Sequence, residues 1–175
     1  MNILFKTMGI VFVMSATLSF SLTHNRMLDN RKQELRRLYS LLLQLKSEIQ
    51  YMNNPLPEIF AKLSIQTKAP FGIWFSDMAM RTEDEKAESF SAIWISGIEY
   101  LKAQSALNNE DIEPLLELGE RLGNGDVATQ MKAIDYTLLH LENNRKVLEG
   151  EMEQKKKVTL TLSLFLGTMI WIVLI

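Results

Sequence analysis

Residues 35–52 read LRRLYSLLLQLKSEIQYM, and the apolar side chains in this stretch return at every third or fourth position. That spacing is typical of a helix that buries one face, because a helical turn takes 3.6 residues. It predicts one long helix from about Asp29 to Asn53, ended by Pro55 and Pro57. The predicted buried stripe is Leu35, Leu38, Leu42, Leu45, Ile49 and Met52.

Helical spacing continues along the chain up to Lys157. We predict a short helix after Pro57, a compact aromatic segment after Pro70, and a helix from Thr82 to Gln104 whose Thr82 and Glu85 form a capping box. Alternating apolar patterns and hairpin dipeptides are missing, which makes a sheet improbable. The predicted fold class is therefore all-α, an antiparallel bundle of about six helices.

The last two predicted helices are joined by a glycine turn. The fifth begins near Asn109 and is expected to bury Ile112, Leu115, Leu116 and Leu122. Gly123 is predicted to form a left-handed C-cap, and Asp126 to cap a final helix that starts at Val127 and runs towards Lys157 without a stop signal.

Both ends of the chain are apolar. Residues 7–22 and 158–175 carry no charged side chain, and 18 helical residues just cover a bilayer core. We predict a transmembrane helix at 1–22, a helical domain at 23–157 and a second transmembrane helix at 158–175. The alternatives are a cleaved signal peptide for the first segment and a buried core helix for the second.

The charges beside these segments predict the orientation. Basic residues follow the first segment and precede the second, so the positive-inside rule places the domain between them in the cytoplasm. The predicted membrane-proximal basic residues are Arg26, Arg31, Lys32, Arg36, Arg37, Lys155, Lys156 and Lys157.

The composition argues against an enzyme. The chain has 175 residues and two histidines. It has no cysteine, and this excludes disulfides, thiol nucleophiles and cysteine-ligated metals. A net charge of −2 argues against nucleic-acid binding, and no nucleotide-binding or catalytic motif is present. We predict no cofactor, no metal and no small-molecule substrate.

Acidic clusters are the most visible polar feature of the middle of the chain. Helix starts and solvated helix faces explain them in part, and a surface for a basic partner is the functional interpretation. The candidate partner-binding residues are Glu83, Asp84, Glu85, Glu110, Asp111 and Glu113.

Two short motifs are distinctive: the helix over 38–51 that runs into the sequence PLPEIF at 55–60, and LGERLG at 118–123. Together with the layout, they resemble the stage III sporulation protein AB family of endospore-forming bacteria. The motif residues used for this identification are Pro55, Leu56, Pro57, Glu58, Gly119, Leu122, Gly123, Asp126 and Gln130.

The resemblance implies a role that the residues alone do not give. Members of that family belong to the apparatus between mother cell and forespore, in the outer forespore membrane. Their helical domain is similar to the cytoplasmic domain of the platform proteins of type II secretion and type IV pilus systems. It implies a non-enzymatic docking component that couples a secretion-type ATPase to the intermembrane ring proteins, as a single copy or a homo-oligomer. The alternative function is a membrane-tethered signalling bundle whose last helix transmits motion.

Overall fold

The computed structural model describes residues 26–52, 54–83, 89–123 and 126–174. They form six helices and no strand, which confirms the predicted all-α bundle. Helix α1 covers residues 26–47 and ends in a π-helical turn at Glu48–Met52. The others are α2 (Leu56–Gln66), α3 (Phe71–Glu83), α4 (Phe90–Gln104), α5 (Asn109–Leu122) and α6 (Val127–Leu174).

The stripe predicted for the long first helix lies in the core. The buried residues of this stripe are Leu35, Leu38, Leu42, Leu45 and Ile49. They belong to the same apolar cluster as Ile134, Leu138, Leu141 and Leu148 of α6. Met52 lies outside the described side chains.

Aromatic side chains from three helices fill the other half of the core. Trp74 and Trp94 meet edge to face with ring centroids 5.2 Å apart, and Phe60 stacks on Phe75 at 5.9 Å. Such offset and edge contacts are the preferred arrangements of aromatic rings. Both tryptophans are buried.

Helices α1 and α6 run antiparallel and leave the bundle at the same end. Lys46 pairs with Asp135, whereas Lys32 and Arg36 pair with Glu149, so α1 residues of lower number meet α6 residues of higher number. The start of α1 is therefore level with the part of α6 near Lys155. We call this end of the bundle the tether end and the opposite end, where α6 begins, the distal end.

One predicted helix boundary is wrong. Helix α4 begins at Phe90, with Ser89 as its N-cap, and not at Thr82. Thr82 lies in the last turn of α3, and its hydroxyl donates to the carbonyl of Met78 at 2.5 Å. The apolar spacing of Phe75 and Met78 continues the helix past the point where a cap was expected.

The predicted left-handed cap at Gly123 is also wrong. Its φ is −78°, in the right-handed region that any residue adopts. The glycine serves close packing instead, because a Cβ built there would lie 2.6 Å from a ring carbon of Phe90.

In the part of the chain that the structure describes, no helix is both long and apolar enough to cross a membrane. The first predicted span, at 1–22, lies outside the described residues, as do the side chains of residues 159–175 in the second. The backbone of α6 continues as one helix from Val127 to Leu174, in agreement with the absence of a stop signal.

Candidate partner-binding surface

The predicted acidic residues divide between surface and interior. Glu83, Glu110 and Glu113 are exposed, whereas Asp111 is fully buried. Asp84 and Glu85 lie outside the described residues. A partner therefore cannot reach the carboxylate of Asp111, and this residue does not remain a candidate for partner binding.

Asp111 instead joins three helices. Its carboxylate accepts two hydrogen bonds from the Arg31 guanidinium, from Nε at 2.7 Å and from Nη2 at 3.0 Å. Asn144 Nδ2 donates to it at 3.0 Å, and the backbone N–H of Asn108 donates at 3.1 Å and completes the capping box of α5. The hydrogen bond to Asp111 raises the pKa of Arg31. This bidentate ion pair, with a fully buried carboxylate and a partly buried guanidinium, joins α1, α5 and α6 at the tether end.

A proline in α5 explains why Asn144 is needed there. Pro114 has no N–H, so the carbonyl of Glu110, four residues earlier, loses its helical donor. Asn144 Nδ2 also donates to that carbonyl, at 3.0 Å. One turn along the interface, the buried Thr137 hydroxyl donates to the Pro114 carbonyl at 3.2 Å. Side chains of α6 thus replace the hydrogen bonding that the proline disturbs.

The predicted membrane-proximal basic residues are largely engaged within the bundle. Arg31 binds Asp111, and Lys32 and Arg36 both reach Glu149 at 3.1 Å. Hydrogen bonds from Lys32 and then from Arg36 hold the pKa of Glu149 below its usual range. Arg26 and Lys155 are exposed near the tether end, Arg37 is exposed halfway along α1, and the side chains of Lys156 and Lys157 lie outside the described residues.

Arg145 interrupts the apolar repeat of α6 and forms ion pairs within the chain. It occupies a position where the spacing of α6 calls for an apolar residue. Its guanidinium pairs with Glu142 at 2.7 Å and with Glu149 at 3.0 Å, and the hydrogen bond to Glu142 raises the pKa of Arg145. The α1/α6 surface is therefore a network of ion pairs between residues of this chain.

The outer side of α5 is different. Glu113, Glu117 and Glu120 are exposed, and so is Glu99 on the neighbouring α4. In the described residues none of these four carboxylates has an ion pair, although Arg31 approaches Glu110 at 3.9 Å one turn away. We call Glu99, Glu113, Glu117 and Glu120 the acidic face.

Residues of the second motif set how closely the helices pack beneath this face. A Cβ at Gly119 would lie 2.1 Å from Cδ1 of Trp94, so only glycine lets the indole lie against α5. In that position Trp94 Nε1 donates to the carbonyl of Leu115 at 2.7 Å. Gly119 therefore permits the close approach of α4 and α5.

The other motif residues shape turns. Pro55 is the N-cap of α2, Pro57 lies in its first turn, and Glu58 follows there. Asp126 accepts from the N–H of Thr129 at 3.0 Å, and hydrogen bonds from Thr129 hold the pKa of Asp126 below its usual range. Gln130 Nε2 donates to the carbonyl of Leu122 at 2.8 Å and so ties α6 to the end of α5. Leu56 is half-buried against the core and Leu122 is buried in it.

The sequence pattern wrongly places Leu116 in the core, and it does not identify Ile95 as an exposed apolar residue. Leu116 was expected to be buried, yet 40% of it is exposed, and Ile95 on α4 is 47% exposed. The available signal was angular: Leu116 lies about 100° from Leu115 round the helix, at the edge of the face formed by Ile112, Leu115, Gly119 and Leu122. In the described residues, no group of His, Asp or Glu side chains is arranged to hold a metal ion.

These features define a six-helix all-α bundle whose surface charges are either paired with one another or presented to solvent. The chain belongs to the stage III sporulation protein AB family, whose model matches residues 6–175. The stage III sporulation protein AB of Bacillus subtilis (strain 168) is 25% identical over 169 residues, which cover 97% of this chain and 98% of that protein. A solved structure of a stage III sporulation protein AB superposes with a TM-score of 0.65 at 25% identity, and covers 71% of this chain and 97% of its own. Family membership assigns the chain to sporulation.

Proposed function

We propose that this chain is a non-enzymatic, membrane-anchored platform of the sporulation apparatus between mother cell and forespore. In this role its helical domain lies in the cytoplasm of the mother cell and docks a secretion-type ATPase. Two anchors, at 1–22 and 158–175, hold the domain at the outer forespore membrane beside the intermembrane ring proteins.

The observation that carries this proposal is the common exit of α1 and α6. The ion pairs of Lys32 and Arg36 with Glu149 hold the two chain ends of the domain side by side. Two anchors that start from one end of a bundle orient it with its distal end away from the membrane. The buried Arg31–Asp111 pair makes that end rigid, as a base that transmits force requires.

Basic residues at the same end support the membrane assignment. Arg26 is exposed there, and each basic residue near an anionic lipid surface contributes about 1 kcal/mol. The acidic face has no ion pair in the described residues, and so leaves a surface of opposite charge for a protein partner.

Labelling of a single cysteine tests the topology, because the chain has none of its own. Ala128 is exposed in the first turn of α6, at the distal end. In growing cells that carry the full chain in the plasma membrane, we expect Ala128→Cys to react with a membrane-impermeant maleimide only after permeabilisation. Reaction in intact cells would place the domain outside and end the ATPase-docking proposal.

The alternative function, a signalling bundle, is favoured by the continuity of α6. A single helix from Val127 to Leu174 connects the core of the bundle to the second predicted span. Co-purification from sporulating cells distinguishes the platform from the signalling bundle. The ATPase should co-purify with the full chain if the chain is a platform, whereas a signalling bundle does not require this.

A further inference from the structure

Two exposed apolar side chains lie at the same level on neighbouring helices. The bond from Trp94 Nε1 to the carbonyl of Leu115 sets the register of α4 against α5. Ile95 and Leu116 each follow one of these residues, about 100° further round the helix. Both turn towards the groove between α4 and α5, where 47% and 40% of their surfaces are exposed.

Carboxylates surround this apolar pair. Glu113 and Glu120 lie three residues before and four residues after Leu116, on the same side of α5, and Glu99 lies four residues after Ile95 on α4. All three are exposed, and among the described residues none has an ion pair. The cation Lys102 lies two turns from Ile95 along α4.

A second exposed apolar pair provides the contrast. Leu43 on α1 and Leu139 on α6 are 44% and 68% exposed, and they lie level between the Lys46–Asp135 pair and the ion pairs of Glu149. The carboxylates around this pair are already neutralised by cations of the same chain. A charged partner gains little there, since it would have to displace those cations.

We propose that Ile95 and Leu116, with Glu99, Glu113 and Glu120 as their rim, dock a basic amphipathic helix of a partner protein. The fitting helix has an aliphatic or aromatic residue flanked by Lys or Arg one turn away on either side. This proposal rests on the proposed function in one respect: the ATPase is the protein expected to carry that helix. The apolar pair supplies the contact, and the unpaired rim supplies charge complementarity and faster association.

Crosslinking tests the surface independently of the partner's identity. Single cysteines replace Leu116 or, as the matched control, Leu139, each in the full chain and labelled with a benzophenone maleimide in membranes from sporulating cells. We expect Leu116→Cys to crosslink a defined partner peptide that contains Lys or Arg on both sides of an apolar residue. Equal products from both positions, a partner peptide without that pattern, or no product from Leu116→Cys would overturn the proposal.

Binding to the purified ATPase then separates the two proposals. The full chain in nanodiscs is compared with Glu113→Lys/Glu120→Lys and with Glu58→Lys, an exposed charge reversal on α2. We expect the double variant to weaken binding by about tenfold at low salt, with the difference lost near 0.5 M salt, and the control to bind as wild type.

The outcomes are distinct. Unchanged binding by Glu113→Lys/Glu120→Lys would overturn the proposal that this surface docks the partner, and would not affect the proposed platform function. Failure of the wild-type chain to bind the ATPase would remove the ATPase from the proposed function, and the peptide crosslinked at Leu116 would then decide the surface alone.

Discussion

The α1/α6 surface and the α4/α5 surface use the same residue types for opposite purposes. Both expose a level pair of aliphatic side chains, and both are rich in glutamate. On α1/α6 the carboxylates of Asp135, Glu142 and Glu149 are bound by cations of the same chain. On α4/α5 the carboxylates of the acidic face have no such partner in the described residues. Counting charges in the sequence does not separate these cases, because the difference lies in which helices the fold makes neighbours.

The largest effect is expected from Asp111, which among the described candidate acids is the one that the fold buries. Asp111→Ala leaves the Arg31 guanidinium without its partner in a largely buried position and removes the capping box of α5. We expect a loss of about 3–5 kcal/mol in the free energy of unfolding. Urea unfolding of the full chain, followed by fluorescence of Trp74 and Trp94 on a Trp171→Phe background, measures it.

The matched control is Glu113→Ala, two residues further along α5 and exposed. Its free energy of unfolding should stay within about 0.5 kcal/mol of wild type. Equal losses from both substitutions would contradict the division into paired and unpaired acids.

A smaller effect is expected beneath the acidic face. Gly119→Ala places a Cβ against the Trp94 indole and strains the bond to the Leu115 carbonyl. Overpacking of this kind costs about 1–3 kcal/mol. Gly150→Ala is the control, because nothing lies within 4 Å of its Cβ position, and alanine there should stabilise α6 by about 0.5–1 kcal/mol. Thermal unfolding of the two variants should shift in opposite directions.

Acid should weaken the α1/α6 surface selectively. Lys32 and Arg36 lower the pKa of Glu149 in the folded chain below the ordinary value of 4.5, so this group stabilises the fold above that value. The stabilisation disappears as the pH falls through the lowered pKa, because the unfolded chain then binds the proton more readily. We expect Glu149→Gln to reduce the loss of stability between pH 7 and pH 3 in urea titrations.

The wild-type chain is the comparison for that measurement. A loss of stability equal to that of the wild-type chain would show that the pairs of Glu149 with Lys32 and Arg36 do not contribute to the acid response.

Sequence spacing predicted the helices well and their surroundings poorly. The stripe from Leu35 to Ile49 identifies both a helix and its buried face, since burial follows directly from the period. Asp111 could not be recognised as buried, because its partners Arg31 and Asn144 lie 80 and 33 residues away in the chain. Thr82 was misread because a local capping pattern competed with the core packing of Phe75 and Met78, and packing prevailed. For the candidate surface, the acids could be listed from the sequence, but their pairing depends on the tertiary structure.

The smallest effect on stability is expected from substitution of Leu116. This substitution tests most directly whether the α4/α5 surface differs from the α1/α6 surface. Leu115, its neighbour, is fully buried, so Leu115→Ala should cost about 2–5 kcal/mol. Leu116→Ala should stay within about 0.5 kcal/mol, because a large part of its side chain already contacts solvent. Urea unfolding of both variants checks these values. If Leu116→Ala destabilised the chain as much as Leu115→Ala, the leucine would be part of the core, and the α4/α5 surface would lose its apolar centre. A neutral Leu116→Ala that still lost partner crosslinking would instead separate binding from folding at a single side chain.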